Sequence, residues 1–242
     1  MGTDEIGTAV LLPGTGSDDV FVRSVFAGPL AAVGIRAVTP APVPGPDLAE
    51  HHLAALDATD GPVLVGGVSF GAHLAAEWAV ANPGRCAGLL LALPAWHGPP
   101  GDAPASVAAL LSAAAVRDTG VDATLASAAA DVPSWLAAEL GRSWRGYGDG
   151  LADSLTVAAY RPAPDLDALA ALTAPAGIAV FTDDPIHPEP AGRAWAKALP
   201  RAVVCPTRLA VLGVDPESLG RATVLAWLRA GGRSGRDGPD TA

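Results

Sequence analysis

The sequence predicts an α/β fold, in which a mostly parallel sheet of about six strands carries helices on both faces. Short apolar runs alternate with stretches of helical periodicity along most of the chain, and glycine- and proline-rich turns follow several of these runs. The pattern is interrupted once, between residues 96 and 161, where alanine-rich helical segments occur without a convincing strand. We therefore expect one α/β core with a single helical insertion.

Each strand is predicted at a short apolar run that ends in turn residues. The strands are expected at residues 8–12, 34–38, 63–68, 87–93, 178–182 and 202–204. The helices of the core are expected at residues 18–32, 47–57, 70–82, 191–199 and 216–229, the second of them capped by Asp47.

These elements divide the chain into residues 1–95 and 166–230 as the core and residues 96–165 as a helical lid. Residues 231–242 are polar and rich in glycine, a composition typical of a disordered tail.

Composition limits the classes of partner. Half of the 242 residues are apolar and the formal net charge is −10, which argues against nucleic acid and anionic membranes as partners, because both require clustered lysine and arginine.

No basic-plus-apolar leader and no apolar run of about 18 residues is present, which favours a cytoplasmic location. Cys86 and Cys205 lack metal-type spacing. Neither a metal nor an organic cofactor is expected. The oligomeric state stays open.

A Gly-x-Ser-x-Gly signature, Gly67 to Gly71, lies between the third predicted strand and a helical stretch. A sharp turn from strand to helix exposes a serine hydroxyl above the sheet, and its flanking glycines allow two backbones to approach closely. This context favours Ser69 as a nucleophile. The alternative is a serine that only caps the helix.

Together, the Ser69 turn and the helical insertion between the fourth and fifth strands resemble the α/β-hydrolase superfamily over about residues 6–230. The resemblance implies a serine hydrolase with a lid, although the initial antiparallel strands usual in that fold are missing or shortened here. It also implies an oxyanion hole formed by the backbone N–H groups of Phe70 and of Thr15, in the loop after the first strand.

The resemblance implies a catalytic carboxylate at the end of the fifth strand, where the chain reads Asp183-Asp184-Pro185-Ile186-His187-Pro188. Asp184 fits the family's Asp-x-x-x-Pro spacing and is the first choice. Asp183 is the alternative, and either aspartate is also a plausible turn former.

The catalytic base departs from the family pattern. The superfamily places a histidine after the last strand, but residues 203–215 contain none, and Leu209 or Ala210 occupies the equivalent position. Among the five histidines, His51 and His52 are expected at the surface or a helix end and His73 in packing. His187 is the one that we expect to reach Ser69, with a helix-capping role as its alternative.

Substrate contacts are expected from the insertion and its entrance, where Trp96, His97 and Trp144 are candidates to line an apolar pocket. Tryptophans at helical spacing are also common in cores, so packing is the competing interpretation.

The leading functional prediction is a serine hydrolase that cleaves an ester or thioester with an apolar acyl group through a Ser69 acyl-enzyme. Its substrate would be a small molecule or an acyl group linked to a carrier. The alternative is a protein of the same fold with a degenerate triad, which binds a hydrophobic ligand or catalyses isomerisation, cyclisation or C–C cleavage. A structural or adaptor role is a third possibility.

Overall fold

In a computed structural model, which describes residues 6–130 and 132–233, six parallel strands form one sheet in the order β2-β1-β3-β4-β5-β6. The predicted α/β class and strand number are confirmed. The strands are β1 (Thr8–Leu12), β2 (Arg36–Val38), β3 (Val63–Val68), β4 (Cys86–Ala92), β5 (Ala176–Phe181) and β6 (Ala202–Thr207).

Helices cover both faces of the sheet, because alternate side chains of each buried strand point to opposite layers. Val10 and Leu12 of β1 join one apolar cluster, whereas Ala9 and Leu11 join the other. The helices of the core are α1 (Asp19–Ala32), α2 (Leu48–Asp57), α3 (Phe70–Ala81), α9 (Glu189–Ala198), α10 (Leu209–Leu212) and α11 (Glu217–Arg229). Helices α1 and α11 pack on one face, and α2, α3 and α9 on the other.

The segment between β4 and β5 is helical, as the sequence predicts, and its described residues contain no strand. It packs on the α2–α3 face of the sheet. We call residues 104–170 the insertion; whether it works as a lid stays a prediction. Its helices are α4 (Pro104–Thr119), α5 (Val121–Ala128), α6 (Ser134–Tyr147), α7 (Leu151–Tyr160) and α8 (Leu166–Ala170), with a 3₁₀ turn at Gly148–Gly150.

The strand order reverses direction between β1 and β3. In open α/β sheets, the loops at the carboxyl ends of the strands on either side of such a switch point form a crevice. Here those loops are the Pro13–Gly16 turn after β1 and the Ser69 turn after β3. The topology therefore brings two predicted site segments together.

Two local expectations need correction. The Asp47 side chain makes no capping hydrogen bond to α2; its backbone carbonyl instead accepts from the His51 backbone N–H at 3.0 Å. His52 is not a surface residue: it is 2% exposed, because it lies on the inner side of α2, whereas His51 is exposed.

Most of the tail that the sequence predicts to be disordered, residues 234–242, lies outside the described residues. Within residues 6–130 and 132–233, none of the helices combines the length and apolar character needed to cross a membrane.

Candidate active site

The Ser69 turn joins β3 to α3 in a backbone conformation that is rare for residues other than glycine. Ser69 has φ 53° and ψ −113°, and its N–H donates to the Ala92 carbonyl of β4 at 2.8 Å. A non-glycine residue in this region is strained by about 1–3 kcal/mol and persists only where its surroundings hold it. The sheet hydrogen bond holds Ser69 at the carboxyl end of β3.

The glycines of the signature are needed for space. A Cβ added to Gly71 would lie 2.7 Å from the Pro13 carbonyl oxygen, and one added to Gly67 would lie 2.7 Å from the Gly71 carbonyl carbon. Real Cβ atoms do not approach backbone this closely, so a side chain at either position would push β1, the Ser69 turn and α3 apart.

Three side chains form a hydrogen-bonded series across the sheet edge. The His187 Nε2 atom is 2.9 Å from Ser69 Oγ, and its Nδ1 atom is 2.7 Å from Asp184 Oδ2. An ionised carboxylate only accepts hydrogen bonds, so Nδ1 carries the ring proton and Nε2 is left to accept from the Ser69 hydroxyl. This is the arrangement in which a histidine removes a proton from serine.

Asp184 is ionised and held in place. Burial by itself would raise its pKa, but the hydrogen bond and charge of His187 and the backbone N–H of Ile186, at 2.8 Å, outweigh burial and lower the pKa below its usual range. Its side chain is 6% exposed, and that of His187 is 18% exposed. The carboxylate therefore keeps its charge at neutral pH and orients the imidazole.

Asp183 has a different role from its neighbour. Its Oδ1 atom accepts from the Leu209 backbone N–H at 2.6 Å, and its Oδ2 atom lies 3.3 Å from Arg208 Nε. These contacts tie the loop after β5 to the segment after β6, where the superfamily histidine is missing. In the described structure the hydrogen bonds of Asp183 go to this segment, and His187 bonds to Asp184.

The two predicted oxyanion donors flank the Ser69 turn. Phe70 opens α3, so its N–H has no intrahelical acceptor, and neither it nor the Thr15 N–H is hydrogen-bonded within the described residues. A Cβ added to Gly14 would lie 3.1 Å from the Val68 carbonyl oxygen and 3.5 Å from Ser69 Cβ. The loop after β1 thus touches the turn next to Ser69.

His73 and Trp96 pack against each other, and the His73 backbone N–H donates to the Ser69 carbonyl at 3.1 Å. His73 Nε2 accepts from the Ala95 backbone N–H at 3.0 Å, and its ring meets Trp96 edge-on with centroids 4.5 Å apart. Burial, and secondarily the nearby His187, lowers the pKa of His73 to about 3, so it stays neutral. His73 has the packing role that the sequence favours, and it fixes the segment that carries Trp96.

The remaining candidates differ in exposure. Trp144 is 6% exposed, and its indole Nε1 would lie 2.8 Å from a Cβ added to Gly16, next to the oxyanion loop. The indole N–H groups of Trp96 and Trp144 are buried without partners in the described residues. His97 is exposed. Substrate contact by these three residues stays a prediction.

Access to Ser69 is narrow, since the residue is 8% exposed. Two surface cavities, of about 290 and about 250 Å³, are lined by other residues: the first by Thr8, Asp60 and neighbours, the second by Phe21, Trp135 and neighbours. Among the described residues, no group of three or more His, Cys, Asp or Glu side chains is arranged to hold a metal ion.

The chain has the α/β-hydrolase fold, as the sequence resemblance implies. An esterase from Thermogutta terrifontis is 22% identical, with a TM-score of 0.68 and 92% of this chain and 89% of that chain covered. The enol-lactonase from Burkholderia xenovorans is 17% identical, with a TM-score of 0.67 and coverages of 92% and 91%. A structure from a study of carboxylesterases of Nitrososphaera gargenis is 12% identical, with a TM-score of 0.75 and coverages of 94% and 92%. At these identities the similarity establishes the fold.

No protein-family model and no curated protein sequence matches the chain. The chemistry must therefore be argued from the residues of the site.

Sequence reasoning missed the residues that support the site from a distance. The backbone atoms of Ala92 and Ala95 form hydrogen bonds to Ser69 and His73. Sequence reasoning cannot identify these two alanines, because their side chains carry no functional group. Leu93, between them, also has a positive φ of 56°, and nothing in its side chain predicts this.

Proposed function

We propose that this protein is a serine hydrolase that cleaves an ester or thioester through an acyl-enzyme on Ser69. The observation that carries the proposal is the series of hydrogen bonds from Ser69 through His187 to Asp184, at 2.9 and 2.7 Å. A serine hydroxyl is a weak nucleophile without a base within hydrogen-bond reach, and a histidine in the required tautomer is such a base.

In the first half of the reaction, Ser69 Oγ attacks the substrate carbonyl carbon while its proton passes to His187 Nε2. The resulting imidazolium is stabilised by the Asp184 carboxylate. The tetrahedral intermediate then collapses: the bond to the leaving alcohol or thiol breaks, and Nε2–H donates the proton to that group. The acyl group is left on Ser69.

In the second half, water attacks the acyl-enzyme, and His187 Nε2 takes the proton of the water. The Ser69 bond to the acyl carbon breaks, and Ser69 Oγ recovers a proton from the imidazolium. In both halves, negative charge develops on the carbonyl oxygen. We expect the N–H groups of Phe70 and Thr15, which have no protein acceptor within the described residues, to donate to this oxygen. Each such donor contributes about 3 kcal/mol to the barrier reduction in well-studied enzymes.

We infer the substrate class from the residues that the sequence predicts to line the pocket and from the exposure of Ser69. The buried Trp96 and Trp144 rings favour an apolar acyl group, and the low exposure of Ser69 favours a slim one. Proteins described as an esterase and as an enol-lactonase share the fold, which is consistent with this class. The proposal covers small-molecule esters and carrier-linked thioesters, because both present the same carbonyl to Ser69, and it requires no cofactor.

Hydrolysis is favoured over the degenerate-triad alternative. That alternative depended on the missing histidine after the last strand. His187, in the loop after β5, has its imidazole at hydrogen-bond distance from Ser69. A strained serine turn also has no evident use in a protein that only binds a ligand. A cytoplasmic location remains part of the proposal.

A fluorophosphonate probe tests the function, since it reacts only with an activated serine. Wild-type protein should be labelled at Ser69, and Ser69→Ala and His187→Ala should lose labelling and turnover of p-nitrophenyl esters. His51→Ala is the matched control, because His51 is an exposed histidine on α2, and it should be labelled like wild type. Full labelling of His187→Ala would overturn His187 as the base, and an unlabelled wild type would favour the binding-protein alternative.

A further inference from the structure

One helix of the insertion, α6, contacts the loop after β1, residues 13–18, through three side chains. Arg142 donates to both carboxylate oxygens of Asp18, with Nη2 to Oδ1 at 2.7 Å and Nε to Oδ2 at 3.0 Å. The Tyr147 hydroxyl donates to the Ser17 carbonyl at 2.8 Å. The Trp144 ring packs against Gly16, which has a φ of +66°.

We propose that Arg142 and Tyr147 are positioning residues, which hold the loop of residues 13–18 so that the Thr15 N–H faces the carbonyl oxygen of a substrate on Ser69. The inference rests on the proposed function, and it assigns the insertion a part in catalysis in addition to the lid role that the sequence predicts.

The Arg142–Asp18 pair is well organised for this purpose. Its two parallel hydrogen bonds fix orientation as well as distance, and Glu139 Oε1, at 2.6 Å from Arg142 Nη1, holds the guanidinium from one turn earlier on α6. Asp18 Oδ1 also accepts from the Phe21 N–H at 2.9 Å and so caps α1. The same carboxylate thus joins the end of the loop, the start of α1 and the insertion.

Tyr147 adds a second anchor. Burial, and then the charge of Asp18, raises the pKa of the Tyr147 phenol above its usual range, so its hydroxyl stays protonated and remains a donor. Its acceptor is a backbone carbonyl of the loop, and the Tyr147 side chain is 4% exposed. Deleting this hydroxyl leaves a partly buried carbonyl without its donor.

The loop has few other attachments in the described structure. Its internal hydrogen bond runs from the Ser17 N–H to the Gly14 carbonyl at 3.0 Å, and the Thr15 N–H has no protein acceptor. On its inner side Gly14 touches the Ser69 turn, and on its outer side Gly16 lies next to Trp144 of α6 and Leu155 of α7. The loop is therefore held between the turn and the insertion, and its outer hydrogen-bonded anchors, Arg142 and Tyr147, belong to α6.

This arrangement makes a specific kinetic prediction. Loss of the hydrogen bonds from Arg142 or Tyr147 to the loop should displace the Thr15 N–H, one of the two proposed oxyanion donors. Such donors stabilise the transition state more than the bound substrate. Small misplacements of catalytic groups are costly. The expected change is a lower kcat with little change in KM.

The test compares Arg142→Gln, Arg142→Lys and Tyr147→Phe with the control Arg145→Gln. Arg145 lies on the same helix and also forms an exposed ion pair, but its partner is Asp122 of α5 and not the loop. We expect Arg142→Gln and Tyr147→Phe each to lower kcat for p-nitrophenyl acetate and the fluorophosphonate labelling rate about tenfold. KM should stay within about twofold, and Arg142→Lys should recover part of the loss.

Hydrogen exchange of the backbone amides at residues 14–18 provides a readout independent of turnover. It should speed up in Arg142→Gln and Tyr147→Phe and stay unchanged in Arg145→Gln. Unchanged kcat and unchanged exchange in a labelled, active background would overturn this inference and leave the proposed function intact. If Arg145→Gln lowers kcat as much as Arg142→Gln does, the effect comes from the stability of α6 in general, and this result would also overturn the inference. If wild-type protein is not labelled by the fluorophosphonate, the proposed function and this inference are both overturned.

Discussion

His187 donates from Nδ1 to Asp184 Oδ2 at 2.7 Å, and the two residues are only three positions apart in the chain. The acid and base of the proposed triad therefore belong to one short loop after β5. The Ile186 N–H, at 2.8 Å from Asp184 Oδ1, closes the turn between them. A single loop thus replaces the two separate segments, after two different strands, that the superfamily pattern implies.

The adjacent aspartates offer a matched pair of substitutions. Asp184→Asn should lower kcat about a thousandfold, because an amide in that position no longer stabilises the imidazolium and permits the wrong tautomer. Asp183→Asn should leave kcat within about twofold of wild type, since Asp183 bonds to Leu209 and Arg208. Steady-state kinetics with p-nitrophenyl acetate and the melting temperature of each variant check this. A larger kcat loss in Asp183→Asn would contradict the assignment.

Strain at Ser69 predicts an unusual order of stability. Ser69→Gly and Ser69→Ala both remove the hydroxyl, but only glycine adopts a φ of 53° without steric cost. The relief of about 1–3 kcal/mol exceeds the entropic cost of glycine, so Ser69→Gly should be more stable than Ser69→Ala by about 1 kcal/mol. Urea unfolding of the two variants measures the difference. If Ser69→Ala is the more stable, the turn stores no strain.

His52 predicts a loss of stability in mild acid. Burial, and then the charge of His51, lowers the pKa of His52 in the folded protein from 6.5 to about 4. Below pH 6.5 the unfolded chain binds a proton that the folded protein does not, so the free energy of unfolding falls as the pH falls, until about pH 4. At about pH 5 the loss from His52 is about 2 kcal/mol.

The control for this experiment is the neighbouring residue. His52→Gln should lose less stability than wild type between about pH 7.5 and about pH 5. His51→Gln leaves the burial of His52, the larger cause of its lowered pKa, in place and should keep most of the wild-type loss. Urea unfolding at the two pH values measures both slopes. Equal slopes for wild type and His52→Gln would show that His52 is not held neutral in the fold.

Local patterns predict most of the fold. The bounds of β1 and β3 match the expected residues 8–12 and 63–68, because buried strands between turn residues are visible as short apolar runs. The edge strand β2 is shorter than expected, at Arg36–Val38, and β6 extends to Thr207, beyond the expected end at residue 204. Strand ends are determined by pairing with a neighbour, which local hydrophobicity does not encode.

The candidate site, like the fold, has parts that the local sequence predicts and parts that it does not. The Ser69 turn is predictable because its glycines are adjacent to it in sequence, and His187 is nominated because its loop lies at the carboxyl end of a strand. The spacing to Pro188 favours Asp184 over Asp183, but local sequence does not encode the direction of two adjacent side chains, and that direction decides which carboxylate meets His187. His51 and His52 differ in burial for the same reason.

By itself, the sequence determined the α/β class, the helical insertion and the place of the serine turn, since each depends on periodicity or on residues close together in the chain. Only the tertiary structure decided the partners of that turn. Ser69 and His187 are 118 positions apart, and Asp18 and Arg142 are 124 apart. Their contacts depend on strand order and helix packing, which bring distant segments together only when the whole sheet is assembled.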